Sequence, residues 1–418
     1  MGELERRMAV RSLTRAAGTL NAVRPFARTG PASVPSFFNG WMVSELPLHT
    51  SAVHALVDAA AIRKGALRTW TGRALLAADA VSWAQRYRLH RESGMADRVF
   101  DDALADELGA DYRARAASVG VSTIDHSIPL TRLAQPFSIA RRTLAHEHDL
   151  SYGEAGKRNF LDVWKHADLP LDGRAPVLLQ VHGGAWMIGN KNQQGQPLME
   201  HLTARGWVCV AINYQLSPRA AWPAHIIDVK RAIAWVKANI ARYGGDPNFI
   251  AISGGSAGGH LTALAALTPN EAVFQPGFED ADTRLQAAVP FYGVYDFLNR
   301  DGTGRTDMQA LLEKRVFQHV LDDERRPTWE AASPMGAIRP DAPPFFVIHG
   351  TNDSLVPVEQ ARAFAEMLRK ESTQSVAYAE LPRAQHAFDV FWSPRTWAAV
   401  HAVERFLGVV RAGVTTGS

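Results

Sequence analysis

The sequence predicts an α/β fold, with a mostly parallel central sheet flanked by helices, and an N-terminal helical extension. From about residue 142, short apolar β-type runs alternate with helical runs, which is typical of parallel strands joined by crossover helices. Before that point, Ala-, Leu- and Arg-rich stretches at 51–64, 66–91 and 97–117 carry apolar residues at three- and four-residue spacing. The 418 residues suffice for one large fold with an appended region.

The predicted strands are short runs that are apolar on both faces, as expected for strands buried between helix layers. They are Val177–Val181, Trp207–Ile212, Phe249–Ser253, Ala287–Phe291 and Phe345–Ile348. A helix is predicted over Ala224–Tyr243, and the following Gly-Gly-Asp-Pro segment ends it. Ligands of open α/β sheets bind outside the carboxyl ends of the strands, so the functional residues are expected there.

A glycine-rich turn follows the run Phe249–Ser253 and precedes a helical segment. It has the pattern Gly-x-Ser-x-Gly, with Gly254 and Gly258 on either side of Ser256. A sharp strand-to-helix turn needs small neighbours, and this pattern lifts the serine hydroxyl clear of the sheet. A dinucleotide fingerprint starting at Gly254 would need glycine at position 256. We therefore predict that Ser256 is a nucleophile.

The run Val177–Val181 ends in a second glycine-rich segment. The segment reads His182, Gly183, Gly184, Ala185 and Trp186. Acyl transfer builds negative charge on a carbonyl oxygen, and backbone N–H groups aimed at that oxygen stabilise it. We expect the amides of Gly183, Gly184 and Ala257 to form this oxyanion hole. Taken alone, two glycines after a strand indicate only a turn.

A serine nucleophile needs a base, and the base needs an acid that fixes its tautomer. In the order Ser, Asp/Glu, His, both lie downstream of the serine. Asp353 falls in the loop after Phe345–Ile348, and His386 falls in the loop after the strand-like run Val376–Leu381. We predict that these two residues complete a triad with Ser256. The competing histidines lie in a turn or in helices: His349, His260 and His401.

From about residue 145 to 410, these residues resemble the α/β-hydrolase fold, and within it the hormone-sensitive-lipase-like carboxylesterases. Feruloyl-esterase-like and kynurenine formamidase groups share the motifs. The motifs that carry the resemblance are the segments 182–186, 213–218, 222–224 and 245–248, Asp228, the serine turn, His349-Gly350 with Asp353, and His386-Ala387-Phe388. The resemblance implies a Ser-His-Asp mechanism with an acyl-enzyme intermediate and no metal or organic cofactor.

Three departures move the match toward the esterase and formamidase branches and away from the best-known lipases. Ala185 stands where lipase-like members usually have a third glycine, Gly255 precedes the serine in place of an acid, and Gln215 replaces an arginine. The N-terminal extension resembles the long N-terminal regions of actinobacterial cell-envelope esterases. We expect a helical extension at 1–140, serving as a cap or membrane-surface region, a catalytic domain at 141–418, and a cap insertion at 293–343.

Composition limits the partners. The net charge of +3 is too even to indicate nucleic-acid binding, and a single cysteine, Cys209, excludes intramolecular disulfides and multi-cysteine metal sites. Residues 6–44 contain six arginines and no acid. Around the end of this stretch, a candidate interfacial face is formed by Phe37, Phe38, Trp41, Met42, Leu46 and Leu48. No Sec signal peptide or membrane-spanning run is apparent. We expect a cytoplasmic protein or one peripherally associated with the membrane or cell envelope.

The sequence thus predicts a serine carboxylesterase that hydrolyses short- to medium-chain acyl esters. Two alternatives stay open on the same fold: an arylformamidase-like amide hydrolase, which would use the same residues, and a non-catalytic binding protein. A peptidase of the oligopeptidase type would normally bring a propeller domain, and no blade-length repeat is visible. The oligomeric state is left open.

Overall fold

Eight strands form one central sheet in the computed structural model, which describes residues 2–122, 127–138, 144–171 and 173–416. The strands are β1 (Leu144–Ser151), β2 (Phe160–His166), β3 (Ala175–Val181), β4 (Val208–Ile212), β5 (Gly245–Gly255), β6 (Ala287–Phe291), β7 (Phe345–Gly350) and β8 (Val376–Leu381). Their order across the sheet is β1-β2-β4-β3-β5-β6-β7-β8. The β1–β2 and β2–β4 pairs are antiparallel, and the remaining pairs are parallel.

Helices precede the sheet and cover both of its faces. Those before the sheet are α1 (Glu3–Val23), α2 (Ser33–Glu45), α3 (Pro47–Arg63), α4 (Trp70–Ser93), α5 (Ala96–Leu108), α6 (Tyr112–Ser118) and α7 (Leu130–Ala134). Those after its first strands are α8 (Gln196–Thr203), α9 (Ala224–Asn239), α10 (Ala257–Leu267), α11 (Met308–Leu311), α12 (Arg326–Ala331), α13 (Val358–Glu371) and α14 (Pro394–Thr416). A π-helical turn, Leu312–Phe317, follows α11.

The strands are buried on both faces because successive side chains point to opposite sides of the sheet. In β3, Val177 and Leu179 pack into one core layer with Ile226 of α9, while Leu178 packs into the other layer with Phe406 of α14. Helix α5 of the N-terminal region contributes to that second layer. The fold is therefore the predicted α/β-hydrolase architecture, with a helical region on its N-terminal side.

Several element boundaries differ from the sequence expectation. Strand β5 begins at Gly245 rather than at Phe249. The helix expected over 97–117 ends at Leu108, because Gly109 takes a left-handed φ of +90°. The arginine-rich stretch 6–44 supplies most of α1 and α2.

The apolar face expected around residues 37–48 is only partly available for an interface. Phe37 and Leu46 are 6% and 2% exposed, whereas Phe38 and Leu48 are 66% and 39% exposed. Phe37 is buried because α2 packs it into the core layer that contains Leu178 and Phe406. Within the described ranges, no helix has both the length and the apolar composition needed to cross a membrane.

Candidate active site

Ser256 lies in the sharp turn between β5 and α10. Its backbone has φ +59° and ψ −123°, and its N–H donates to the carbonyl of Phe291 at 3.0 Å. The flanking glycines are required by space, since a Cβ at Gly254 would lie 2.5 Å from the Val181 oxygen and one at Gly258 2.2 Å from the same atom. This strained geometry presents the half-buried hydroxyl of Ser256 at the carboxyl end of the sheet.

His386 and Asp353 form a short buried pair beyond the ends of β8 and β7. His386 Nδ1 and Asp353 Oδ2 are 2.6 Å apart, and the residues are 4% and 1% exposed. The backbone N–H groups of Leu355 and Val356 donate to Asp353 Oδ1 at 2.8 and 2.7 Å. Because the carboxylate holds Nδ1–H, the imidazole Nε2 is left as the basic nitrogen. The Ser256 hydroxyl makes no hydrogen bond to a described residue.

A second histidine, His349, shares the carboxylate of Asp353. His349 Nε2 lies 3.2 Å from Asp353 Oδ2 and 3.0 Å from the carbonyl oxygen of Val356. Burial would raise the pKa of Asp353, but the charge of His386 and the hydrogen bonds from His349 and His386 hold this pKa well below its usual range. Asp353 is therefore an anion at any working pH. The sequence placed His349 in a turn as a rival base, whereas it closes β7 and braces the acid.

The expected oxyanion donors are not all free. Gly183 N–H donates to the side-chain oxygen of Gln194 at 2.7 Å, while a Cβ at Gly183 would lie 3.1 Å from that of Ser256. Gly184 has φ +119° and follows directly. Ala257 is the first residue of α10, where N–H groups have no intrahelical acceptor. The glycines therefore lie next to the serine, and the N–H of Gly183 is already bonded to the Gln194 side chain.

The remaining motif residues shape the loop after β3. Ala185 and Trp186 both have positive φ, at +51° and +60°. The buried Trp186 donates from Nε1 to His260 Nδ1 at 3.2 Å. His182 stacks on Tyr214 with ring centroids 4.4 Å apart, and the Tyr214 hydroxyl donates to the His182 carbonyl at 2.9 Å. These contacts fix the loop, so the motif residues support the site rather than face the reacting centre.

Sequence reasoning missed Tyr292, which follows β6. Its ring centroid lies 4.6 Å from that of His386, and its hydroxyl donates to Asp389. A Cβ at Gly255 would lie 2.6 Å from this ring, which explains why glycine replaces the acid expected before the serine. Burial, together with the neighbouring Asp389, raises the pKa of Tyr292 well above its usual value. Tyr292 thus packs beside both His386 and Gly255, the residue before Ser256.

The N-terminal helices contact the histidine loop directly. The ring of Phe37 meets that of His386 edge-on at 6.1 Å, and Trp41 Nε1 donates to the Ala387 carbonyl at 3.0 Å. Glu45, fully buried, accepts from the backbone N–H of Gln385 at 3.2 Å. No local sequence signal indicates these contacts, because they join residues more than 300 positions apart.

Glu45 is also half of a buried ion pair. Its Oε2 lies 3.0 Å from Arg395 Nη1, and the two side chains are 0% and 1% exposed. The same guanidinium donates to the carbonyls of Ser44 and Pro382 at 3.1 Å each. This network ties the end of α2 to the start of α14, on either side of the loop that carries the catalytic histidine candidate.

In the segment 293–343, which is expected to form a cap, the apolar residues lie at different depths. Phe297, Leu312 and Phe317 belong to the core, Met308 and Leu311 pack partly against it, and Val320 is 63% exposed.

One group of residues of the types that bind metals occurs in the described residues: His146, His148 and Asp162 on the β1–β2 hairpin. The Asp162 carboxylate already binds Lys191 Nζ at 2.8 Å and His146 Nε2 at 3.0 Å, so we treat this group as a hydrogen-bonded cluster.

Comparison with known proteins identifies the family of this chain. The BD-FAE family model matches residues 161–368. "Probable carboxylic ester hydrolase LipM" of Mycobacterium tuberculosis is 50% identical over 412 residues, covering 96% of this chain and 93% of LipM. The chain belongs to this carboxylesterase family. "Esterase LipQ" of the same organism is 43% identical over 91% of this chain and 86% of LipQ, so the family likeness includes the N-terminal region.

Solved structures support the same fold for this carboxylesterase. A truncated carbohydrate esterase from gut microbiota superposes with a TM-score of 0.54 at 23% identity, covering 64% of this chain and 99% of that one. A propionate-bound esterase from the planctomycete Thermogutta terrifontis superposes with a TM-score of 0.51 at 25% identity, covering 67% and 96%. The chain is therefore an enzyme of the α/β-hydrolase carboxylesterase class, as the sequence predicted.

Proposed function

We propose that Ser256, His386 and Asp353 are the catalytic triad of this carboxylesterase. The observation that carries the proposal is the 2.6 Å contact between His386 Nδ1 and Asp353 Oδ2, at the same edge of the sheet as a serine in a strained strand-to-helix turn. His386 Nε2 takes the proton of Ser256, and the serine oxygen attacks the ester carbonyl. The imidazolium then protonates the leaving alcohol. Water hydrolyses the acyl-enzyme with His386 again as the base.

The developing oxyanion is proposed to bind the amides of Gly184 and Ala257. In the structure, the Gly183 N–H donates to the Gln194 side-chain oxygen at 2.7 Å. Gly183 becomes the third donor once Gln194 moves away from this N–H. Donors that point at the oxyanion lower the barrier because they need no reorganisation during the reaction. Gln194 therefore competes with the transition state for one of three donors.

The proposed substrates are small-molecule esters with short to medium acyl chains. LipM is named a carboxylic ester hydrolase, and in this chain Phe37 and Tyr292 pack against the histidine that would receive the serine proton. Aromatic rings so close to the reacting centre favour a compact acyl group. A series of p-nitrophenyl esters from acetate to palmitate should show the highest kcat/KM at the short and medium lengths.

N-formylkynurenine tests the amide-hydrolase alternative on the same protein preparation. We expect its kcat/KM to lie well below that of the preferred ester. A formamide turned over faster than every ester would replace the ester proposal, and turnover of neither substrate would favour a binding protein. His386→Ala should remove turnover of every ester in the series.

We further propose that residues 1–140 act as a helical region that closes over the site of the catalytic domain, residues 141–418, with 293–343 as a further cap segment. The same N-terminal region is proposed to attach the enzyme to a membrane or cell-envelope surface. A truncation at residue 50 is a poor test of attachment, because it removes Glu45 and leaves Arg395 buried without its carboxylate. Point substitutions on the outer surface avoid this difficulty.

A further inference from the structure

Helices α1, α3 and α4 bury an ionic cluster beside a small apolar cluster that contains Met8 and Ala61. Arg15 Nη1 lies 2.7 Å from Asp58 and 2.9 Å from Asp79, and the Arg15 and Asp79 side chains are 3% and 5% exposed. Arg86, 1% exposed, donates from Nε to the Thr19 hydroxyl at 2.9 Å. Arginine and aspartate are rarely buried unless they are paired, and here their pairing joins all three helices.

The outer surface of the same unit is apolar. The described residues include 23 exposed large apolar side chains, and 17 of them precede residue 138, in the first third of the chain. On the three helices they are Val10, Leu13, Leu20, Leu48, Val53, Leu56, Ile62, Trp70, Val81 and Tyr87. Trp70 is 82% exposed and Leu56 74%. So many exposed apolar side chains on one helical unit are unusual for a surface that faces water.

The apolar side chains are bordered by cations. On α1, exposed Val10, Leu13 and Leu20 lie at heptad spacing between Arg6 and Arg24, both exposed. Arg7 and Arg11 on α1, Arg63 at the end of α3 and Arg73 in the first turn of α4 are exposed as well. Interfacial helices bury such an apolar stripe among acyl chains while their arginines bind anionic headgroups.

We infer that the α1–α3–α4 unit docks on an anionic bilayer, with its outer apolar side chains among the acyl chains and its arginines at the headgroups. The inference deepens the proposed attachment and rests on it. A second copy of the chain is a poorer occupant, because an isologous contact would bring this arginine-bordered surface against itself. The docked unit also reaches the active site, since Asn352 beside Asp353 donates to the Ala22 carbonyl of α1 at 2.9 Å.

Vesicle flotation of the full-length protein tests the inference. We expect flotation with phosphatidylcholine vesicles that contain phosphatidylglycerol, and much weaker flotation with phosphatidylcholine alone. A Leu13→Gln, Leu56→Gln, Val81→Gln triple variant leaves the ionic interior intact and should lower the partition coefficient by about tenfold or more per substitution. The matched control changes two exposed apolar residues of the catalytic part, Ile188→Gln and Val273→Gln, 69% and 67% exposed, and should float like wild type.

Charge is tested separately by Arg6→Gln, Arg11→Gln and Arg24→Gln. Each should weaken binding to the anionic vesicles about fivefold, and added salt should weaken wild type in the same direction. Retained hydrolysis of a water-soluble p-nitrophenyl ester shows that a variant is folded. That activity also separates a failure of docking from a failure of the proposed catalytic function.

Three results would overturn the inference. Wild-type protein that stays out of anionic vesicles contradicts it directly. So does a folded glutamine triple variant that floats as well as wild type. The third result has two parts: wild type fails to float, and light scattering shows a lipid-free oligomer that the glutamine triple variant does not form. That result would assign the surface to a second copy of the chain instead.

Discussion

Removing the Glu45 carboxylate is expected to destabilise the enzyme and disturb its histidine loop together. The Glu45→Ala variant leaves the Arg395 guanidinium, 1% exposed, without its only carboxylate partner among the described residues. Breaking one side of a buried ion pair costs about 3–5 kcal/mol, a large fraction of the stability of a typical domain. The same change removes the acceptor that holds Gln385 N–H at 3.2 Å, next to His386. We therefore expect kcat/KM to fall as well.

Urea denaturation followed by circular dichroism measures the first effect, and hydrolysis of p-nitrophenyl butyrate measures the second. Glu366→Ala is the control, because Glu366 pairs with Lys370 in an exposed i,i+4 bridge, and its denaturation midpoint should not move. Glu45→Leu combined with Arg395→Met removes both charges and should recover most of the lost stability. A loss below about 1 kcal/mol for Glu45→Ala, or no recovery in the double variant, would refute this reasoning.

Three further predictions concern the site and its supports. Gln194→Glu should lower kcat about tenfold or more with little change in KM, because a carboxylate beside the Gly183 N–H repels the oxyanion. The control is Gln193→Glu at an exposed position, which should stay near wild type in the same kinetic assay. Asp353→Asn should lower kcat about a thousandfold or more at an unchanged fold, measured by kinetics and circular dichroism, because the imidazole loses the partner that fixes its tautomer. Hydrogen bonds from His146 and Lys191 overcome burial and lower the pKa of Asp162 to about 2, so Asp162→Asn should cost about 2 kcal/mol near neutral pH. That difference should shrink as the pH falls through 4 toward 2, where wild type loses the same stabilisation, and urea unfolding at several pH values measures it; a pH-independent difference would contradict it.

The strand ends were predictable because each is encoded locally. A run of apolar residues predicts a buried strand, and the glycines, Asp353 or His386 that come after such runs lie in the loops beyond the strands. Because the strands are parallel, their carboxyl ends meet at one edge of the sheet. The acid–base pair follows from order along the chain. Its 2.6 Å contact and the brace from His349 depend on how two loops fold against each other.

The contribution of the N-terminal region was not predictable. Its arginines and aromatic residues indicate an interfacial face, yet Arg15 is buried against Asp58 and Phe37 packs on His386. Composition records how many charges a segment holds but not which of them face inward. The Glu45–Arg395 pair joins residues 350 positions apart, and no local pattern specifies such a partner.

Covalent labelling of Ser256 tests the central claim most directly. Incubation with a fluorophosphonate, followed by intact-mass and peptide mass spectrometry, should show one adduct per chain, located on the peptide that contains Ser256, with loss of ester hydrolysis in proportion to labelling. Ser256→Ala should show neither adduct nor hydrolysis. An adduct on a different residue, or wild-type hydrolysis by Ser256→Ala, would contradict the assignment of the nucleophile.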